Sequence, residues 1–212
     1  MAVLTKLRTL PKPPYKVELF VDGMLWETVP FDTIGELRLT EGMQLSEPMR
    51  LEIRHFVSVF EAKELAMRLL AQRERSAGEI RQRLQQKKLG ECVDEVIQSL
   101  EKMDYLNDER FARLFTRDKI NLNHWGPQRI RSELYGKSVA KDVIERVLKA
   151  AFEKEDQQVT IEALIEKKLR GQTAITDKER QRVWNFLIRR GFSTSDIAIV
   201  LGKIERVRDR GD

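Results

Sequence analysis

The pattern of apolar and polar positions along the chain changes character near residue 57. Before it, residues 15–21 alternate between polar and apolar side chains, which is typical of a half-buried strand. Asp22-Gly23 follows as a two-residue hairpin signal, and residues 24–29 are predicted as the returning strand. Residues 15–57 are therefore predicted to form a small β subdomain.

Prolines and glycines predict what flanks this hairpin. Three prolines in residues 1–14 indicate a flexible arm. After Pro30, a third short strand or a turn is expected at Glu36–Leu39 or at Leu45. A β unit of this size buries little apolar surface, so we expect it to pack against the part of the chain that follows.

From Ser58 onward, apolar residues recur at intervals of three and four, which predicts helices and no strands. The Ser-x-x-Glu capping box occurs at Ser58 and Ser76, and Thr176 begins the related Thr-x-x-Glu box. Gly126-Pro127 is a further start signal, because a proline at the first helical position has no amide to satisfy. Capping patterns therefore predict where helices begin throughout this part of the chain.

Three of these starts, at Ser76, Gly126 and Thr176, stand 50 residues apart, which indicates an internal repeat. Three matching segments each begin with a leucine at a similar place in its repeat: L-x-x-K-K-L at Leu84, L-x-x-K-S-V at Leu134 and L-x-x-R-G-F at Leu187. We predict that these leucines are equivalent core residues. Eight positions after the last residue of each segment comes another apolar residue, so each unit is expected to contain three helices.

The predicted fold class is mainly α, with three tandem three-helix repeats forming an elongated solenoid after the small N-terminal β-hairpin subdomain. The repeats are expected at residues 58–106, 107–155 and 156–206, followed by a tail at 207–212. Their first helices are expected at 61–72, 108–119 and 156–169.

Three segments of this pattern resemble the RecX family of bacterial recombination regulators. They read R-E-R-S-x-x-E-I from Arg73, Y-L-N-D-E-R-F-A from Tyr105 and G-P-Q-R-I-x-x-E-L from Gly126. The resemblance covers residues 60–155 and, more loosely, the third repeat. It implies three tandem three-helix repeats and binding to the filament of RecA on single-stranded DNA, whose assembly and ATP-driven activities the family modulates, usually as an inhibitor.

Two positions depart from the family pattern. Ser138 stands where the family usually has glycine in a K-G-I turn, and Lys88 replaces the same glycine in the first repeat. Because glycine accepts positive φ more readily than other residues, we expect both loops to differ from the family in backbone angle.

Composition excludes several classes of protein. No apolar run approaches the roughly 20 residues that span a bilayer, and residues 1–10 lack the apolar core of a secretion signal. The single cysteine, Cys92, cannot form an internal disulfide, so a cytoplasmic location is expected. With only His55 and His124 beside it, no zinc-ligand spacing exists, and no metal or cofactor is expected.

No catalytic constellation is apparent either. Gly136-Lys137-Ser138 spells the end of a phosphate-binding loop, but Arg131 stands where that motif requires glycine and no strand precedes it. The carboxylates mostly lie within helical reach of lysine or arginine, as on solvated helices. We interpret Cys92 as a partly buried structural thiol, His55 as a linker residue and His124 as a solvent-facing loop residue. The chain is therefore predicted to be a binding protein with no enzymatic activity.

Basic side chains are concentrated in the helical part. The net charge is +5, and residues 63–88 alone hold eight basic against three acidic residues. A ridge along the first two repeats is the predicted contact surface for phosphates or acidic protein, with a solvated helix face as the alternative for each residue. Its members are Arg68, Arg73, Arg75, Arg81, Arg83, Lys87, Arg113, Arg117, Arg129, Arg131 and Lys137. The aromatic residues are expected in the core, except Trp125, which is expected at the surface.

The predicted partner is the RecA filament, with weak binding to single- or double-stranded DNA, no membrane and a monomeric chain. Arg81 and Arg131 are 50 residues apart, so we expect them to project from equivalent places, and reversing both charges is expected to weaken filament binding. Two alternatives remain open at this point. One is a nucleic-acid-binding module that acts without a protein partner, and the other is a general helical-repeat scaffold.

Overall fold

A computed structural model describes residues 2–13, 15–153, 157–170, 172 and 174–206. The chain divides into two compact units. The first comprises residues 1–74 and 80–106, and the second comprises residues 75–79 and 107–212. The predicted tail at 207–212 and the predicted repeat boundary at residue 156 lie outside the described residues.

The first unit contains a four-stranded antiparallel sheet with the order β3-β2-β1-β4. Its strands are β1 (Ala2–Thr9), β2 (Lys16–Val21), β3 (Met24–Pro30) and β4 (Gln44–Leu45). The predicted hairpin is present: Val21 pairs with Met24, and the turn residues Asp22 and Gly23 both have positive φ, of 50° and 82°. Positive φ at both positions matches the twist of the flanking strands.

One prediction for this subdomain was wrong. Most of the expected flexible arm is strand β1, which pairs with β2 on one side and β4 on the other and buries Leu4 completely. Pro11 and Pro13 lie in the connection to β2. The third short strand or turn predicted at Glu36–Leu39 or at Leu45 is confirmed, since the short helix α1 (Asp32–Glu36) is followed by a turn with Arg38 at φ 49°. Leu45, the alternative position, does lie in a strand.

The first helix of the repeat region begins earlier than predicted. Helix α2 (Glu47–Leu70) starts at Ser46, whose hydroxyl accepts from the amide of Met49. Ser58 therefore lies within the helix and caps nothing, so the predicted start at 58–61 was wrong, as was the interpretation of His55 as linker. Ile53, on the early turns of α2, belongs to the core under the sheet, and this packing explains the extension. The chain continues with α3 (Ala77–Gln86), of which residues 80–86 belong to this unit, and then with a 3₁₀ turn (Gly90–Cys92) and α4 (Val93–Lys102).

The second unit contains six helices among its described residues. They are α5 (Asp108–Asn123), α6 (Pro127–Gly136), α7 (Lys141–Phe152), α8 (Gln157–Leu169), α9 (Asp177–Arg190) and α10 (Thr194–Gly202). Helix α9 begins with both halves of the predicted capping box at Thr176 and Glu179. The expectation of no strands was wrong in detail, since β5 (Ala174–Ile175) and β6 (Glu205–Arg206) form a short parallel pair.

The repeated L-x-x-K-x-apolar segments, with arginine in place of lysine in the third, are the C-terminal caps of α3, α6 and α9. In each, the amide of the last residue donates to the carbonyl of the leucine: Leu89 to Leu84, Val139 to Leu134 and Phe192 to Leu187, at 3.1, 3.2 and 3.3 Å. The residue before it is left-handed and donates three residues back, which completes a Schellman motif. Leu84, Leu134 and Leu187 are fully buried, so their predicted equivalence is confirmed.

The left-handed position of this motif is Lys88, Ser138 and Gly191 in the three helices, with φ of 62°, 57° and 86°. The expectation that Lys88 and Ser138 would change the backbone angle was wrong. Both keep the conformation that suits glycine, because the capping hydrogen bonds and the buried apolar residue that follows hold the turn.

Candidate interaction surface

Within the second unit, the start of α3 is hydrogen-bonded to the C-terminal cap of α6, and the start of α6 is hydrogen-bonded to the C-terminal cap of α9. Ser76 donates its hydroxyl to the carbonyl of Lys137 at 2.8 Å and accepts from the amide of Glu79 at 3.1 Å. In the equivalent place, the amide of Gly126 donates to the carbonyl of Arg190 at 2.7 Å. These contacts, which we call the first and second joint, fix the positions of Lys137, Arg129 and Arg190.

The end of α5 places Trp125. His124 is left-handed, with φ 50°, and its amide donates to the carbonyl of Ile120. The next amide, of Trp125, donates back to the carbonyl of Lys119 at 3.2 Å. This turn brings the indole of Trp125 back over the last turn of α5, where the Lys119 ammonium lies 4.9 Å from the ring centre.

Cations lie over the aromatic rings around this turn. The Arg129 guanidinium lies 3.9 Å from the ring centre of Trp125, and Lys119 and Lys137 lie 5.2 and 5.6 Å from that of Phe115. We call Phe115, Lys119, Trp125, Arg129 and Lys137 the basic–aromatic cluster. Lys137 also pairs with Glu79 at 2.9 Å, whereas Lys119 and Arg129 have no carboxylate partner within the described ranges. The cluster therefore carries positive charge that the described part of the chain does not neutralise.

Further cations border the cluster. Arg190 donates to the carbonyls of Asn123 and His124, and both Arg190 and Lys168 lie 4.6 Å from the ring centre of Phe186. Burial lowers the pKa of the Arg190 guanidinium, and the positive charge of Arg129 adds to this effect. Two cations close enough to disfavour each other's charge are stabilised by any anion that binds between or beside them.

In the first unit, the predicted contact residues differ in the hydrogen bonds and ion pairs that they form with the rest of the chain. Arg68 and Lys87 are exposed, and among the residues described neither has an ion-pair partner. Arg83 donates to Gln86, and Arg73 donates to the carbonyl of Glu74. Arg81 pairs with Asp94 on α4 at 2.8 Å.

In the second unit, Arg131 makes two hydrogen bonds to Glu145, at 2.7 and 3.0 Å. These bonds raise the pKa of Arg131 and lower that of the Glu145 carboxyl. Arg113 pairs with Glu109, and Arg117 lies 3.5 Å from Asp118. Arg75 is half-buried at the start of α3. Arg81 and Arg131 thus share a local role, an ion pair to the next helix, and their contact with a partner stays a prediction.

Lys119, Lys168 and Arg190 were not among the predicted contact residues. Phe115 and Phe186 were predicted to lie in the core, and both pack, partly buried, against core clusters while their rings also contact cations. The spacing of Phe115 and Lys119, four residues apart on one helix, was the available signal. Trp125 is half-buried beneath its cations instead of exposed. Cys92 is 1% exposed, and burial raises the pKa of its thiol, in keeping with a structural role.

No group of three His, Cys, Asp or Glu side chains in the described part of the chain is arranged to hold a metal ion. Within the same residues, no helix combines the length and the apolar character needed to cross a membrane.

The fold and this surface define a protein of tandem three-helix domains with a basic, aromatic face. Three models of one family match the chain, described as the first, second and third three-helix domains of RecX, at residues 62–100, 107–148 and 155–201. A regulatory protein RecX from Bacillus cytotoxicus is 30% identical over 215 residues, which cover 99% of this chain and 79% of that protein. The chain belongs to the RecX family of regulatory proteins.

A further relative and two solved structures are also similar to this chain. The regulatory protein RecX of Oceanobacillus iheyensis is 30% identical over 82% of this chain, which spans 64% of that protein's length. A crystal structure of regulatory protein RecX, 21% identical, has a TM-score of 0.74 and covers 95% of this chain and 100% of that one. RecX from Lactobacillus salivarius, 19% identical, has a TM-score of 0.60 over 69% of this chain and 96% of that one. At these identities the two structures show a shared fold.

Proposed function

We propose that this chain binds the filament of RecA on single-stranded DNA and inhibits its assembly, its ATPase activity and strand exchange, as a binding protein without catalytic activity of its own. Membership of the RecX family supports the partner. The uncompensated charge of Lys119 and Arg129 over Trp125 is the observation that supports the contact surface. Cations that are already held in place lose little side-chain freedom on meeting a phosphate or a carboxylate.

The first experiment measures the DNA-dependent ATPase activity and strand exchange of RecA at increasing ratios of this protein. We expect inhibition at a few-fold molar excess, and electron microscopy is expected to show shorter or fewer filaments. Unchanged RecA activity at that excess would contradict the proposal.

The second experiment tests the contact surface with Lys119→Glu/Arg129→Glu. The tight ion pairs of Arg81 and Arg131 make those residues a poorer choice, since reversing them would also place acids opposite Asp94 and Glu145. Inhibition by the double variant is expected to require about tenfold more protein, because charge reversal removes two anion contacts. Lys178→Glu, an exposed lysine on α9, is the matched control and should inhibit like the unmodified protein.

Direct binding to nucleic acid is the second candidate, favoured by the cations over Trp125 and Phe115. Salt separates it from filament binding, because affinity carried by phosphate contacts falls with a log-log slope of about −0.7 per contact on single strands. A weak, steeply salt-dependent DNA affinity beside a strong filament affinity is expected. Equal affinities for bare DNA and the filament would favour the second candidate, and a pull-down without RecA would favour a general scaffold.

A further inference from the structure

The third three-helix domain carries a basic cleft that the sequence did not predict. The cleft has a volume of about 350 Å³, lies between the end of α8 and the start of α9, and is lined by Lys168, Arg170 and Arg182. Among the described residues that line it, Glu179 is the one acid, and its carboxylate already accepts from the amide and the hydroxyl of Thr176. Three cations therefore face a single carboxylate that the start of α9 holds.

One of these cations also shares an aromatic ring with another cation. The Lys168 ammonium and the Arg190 guanidinium both lie 4.6 Å from the ring centre of Phe186. Phe186 packs, partly buried, against the core of this domain, so the ring itself is held in place. The basic–aromatic cluster has the same arrangement, with two cations at the ring of Trp125. Two cations held at one ring repel each other, and an anion bound beside them relieves that repulsion.

Arg190 connects the cleft with the basic–aromatic cluster. Its guanidinium donates to the carbonyls of Asn123 and His124, and the Arg129 guanidinium donates to the carbonyl of Arg189 at 3.0 Å. Burial lowers the pKa of the Arg190 guanidinium, and the nearby charge of Arg129 lowers it further. The cations of the two places thus form one series, which we call the basic row: Lys119, Arg129, Arg190, Lys168, Arg182 and Arg170.

The charge of the basic row is not neutralised by the chain. Elsewhere in the same unit, Arg131 is paired with Glu145. Glu133 and Glu166 each stand one helical turn from a member of the row, yet neither forms an ion pair with it. Across the described ranges, no carboxylate forms an ion pair with any member of the row. The row is therefore available to an anionic ligand along its whole length.

We propose that the basic row binds the phosphodiester backbone of a single nucleic-acid strand, with successive phosphates on its cations and one phosphate in the cleft between α8 and α9. This inference rests on the proposed function, because it identifies the DNA strand as the component of the filament that this face contacts. A nucleic-acid strand carries one negative charge per nucleotide, so it can neutralise a row of cations that a small anion could not span. The planar fork of arginine also matches the oxygens of a phosphate group.

A single strand fits the basic row better than a duplex or an acidic protein does. The row includes both aromatic rings and a cleft, and duplex DNA, with a persistence length of about 50 nm, bends too little to follow such a surface. Proteins that bind single strands combine a positively charged groove with aromatic side chains and arginine–ring contacts. An acidic protein segment would need a carboxylate at each step of the row, whereas the covalent structure of a nucleic acid supplies its phosphates at regular intervals.

The experiment uses the full chain and a fluorescein-labelled oligonucleotide of about 20 thymidines, followed by fluorescence anisotropy at several salt concentrations. Saturable binding is expected at low salt. Lys168→Gln/Arg182→Gln should lower the affinity at least tenfold. The log-log salt dependence of this variant should be less steep by about 1.4, because two phosphate contacts of about 0.7 each are lost.

Lys149→Gln/Lys167→Gln is the matched control for this variant. It removes the same amount of charge from the same unit, and both lysines are exposed and lie over no ring among the described residues. Its affinity and salt dependence should equal those of the unmodified chain. Equal losses in the two double variants would overturn the proposal, because binding would then follow the net charge alone. An unchanged salt dependence in Lys168→Gln/Arg182→Gln would also overturn it.

Two competitors test the nature of the ligand. A DNA duplex of the same length and a polyglutamate peptide of the same charge should each displace the labelled strand at least tenfold less well than unlabelled strand does. Equal displacement by either competitor would overturn the proposal. Absence of binding of the labelled strand at about 0.1 mM protein and low salt would overturn it as well. Circular dichroism checks that each variant is folded.

The RecA assays separate this proposal from the function on which it rests. If RecA is inhibited while the oligonucleotide does not bind, only the proposal for the basic row is overturned. If the oligonucleotide binds as expected while RecA activity is unchanged, the proposed function is contradicted and the basic row is still a binding site for the strand.

Discussion

The two joints of the second unit perform the same task with different donors. At the first joint, the hydroxyl of Ser76 donates to the carbonyl of Lys137. At the second, the backbone amides of Gly126 and Gln128 donate to the carbonyls of Arg190 and Gly191, at 2.7 and 3.1 Å. The acceptor side is constant, since in both cases the carbonyls come from a Schellman turn.

This difference shows which side of a joint tolerates change. A helix start offers several unpaired amides, so a side chain or a backbone group can serve as the donor. The acceptor carbonyls point outward only while the turn keeps its left-handed residue. Close contact adds a steric limit: a Cβ at Gly78 would lie 2.5 Å from the carbonyl oxygen of Lys137, and one at Gly126 would lie 2.5 Å from that of Gly191.

The largest effect is expected from the leucines that anchor the two turns. Leu134→Ala and Leu187→Ala should each lower the free energy of unfolding by about 2 to 5 kcal/mol, because both side chains are fully buried. Urea denaturation followed by circular dichroism measures the loss. A loss below about 0.5 kcal/mol for either variant would show that the repeat register is wrong.

Gly191→Ala is expected to be the next most damaging change. A Cβ there would lie 2.2 Å from the amide nitrogen of Arg129, and the residue has φ 86°. We expect a loss of about 2 to 4 kcal/mol, because left-handed strain alone costs about 1 to 2 kcal/mol and the backbone must also move. Gly136→Ala is the control, since a Cβ at Gly136 meets nothing within 4 Å.

Ser76→Ala tests the first joint directly. The hydroxyl both caps α3 and donates to Lys137, so its removal should cost about 1 to 3 kcal/mol. Thr176→Ala removes a cap that has no such second contact among the described residues and should cost about 1 kcal/mol. Thermal unfolding compares them, and equal losses would show that the joint contributes nothing through Ser76.

Ser138→Gly is expected to give the smallest change and the opposite sign. Ser138 occupies a left-handed position, with φ 57°, that glycine adopts without strain. The melting temperature should rise, by an amount equivalent to about 0.5 to 1 kcal/mol. A fall would indicate that the serine side chain itself stabilises the turn.

The repeat architecture was predictable because its signals are local. The capping box at Thr176, the Gly126-Pro127 start and the three Schellman segments each depend on residues within six positions of one another. The hairpin at Asp22-Gly23 was recognised for the same reason. In such segments the backbone hydrogen bonds close within the segment, so the amino-acid order carries the necessary information.

The wrong predictions concern segments whose secondary structure depends on contacts with residues that are distant in the sequence. Residues 2–9 became a strand because β2 and β4 pair with both sides, although the prolines that follow suggested an arm. Ser58 has a good local capping pattern, yet the helix continues through it because Ile53 packs under the sheet. A local signal for a helix start does not prevail against several turns of helix that bury apolar surface.

The features of the candidate site also fall into two groups, those that the sequence predicts and those that only the tertiary structure decides. From the sequence alone came a basic character for the second repeat, a tryptophan at the end of α5 and the family to which the pattern belongs. Only the tertiary structure decided which cations are neutralised, such as Arg131 by Glu145, and which are held over rings, such as Lys119 and Arg129. Charge is a property of the residue, but its availability depends on what other elements of the fold bring within about 4 Å of it.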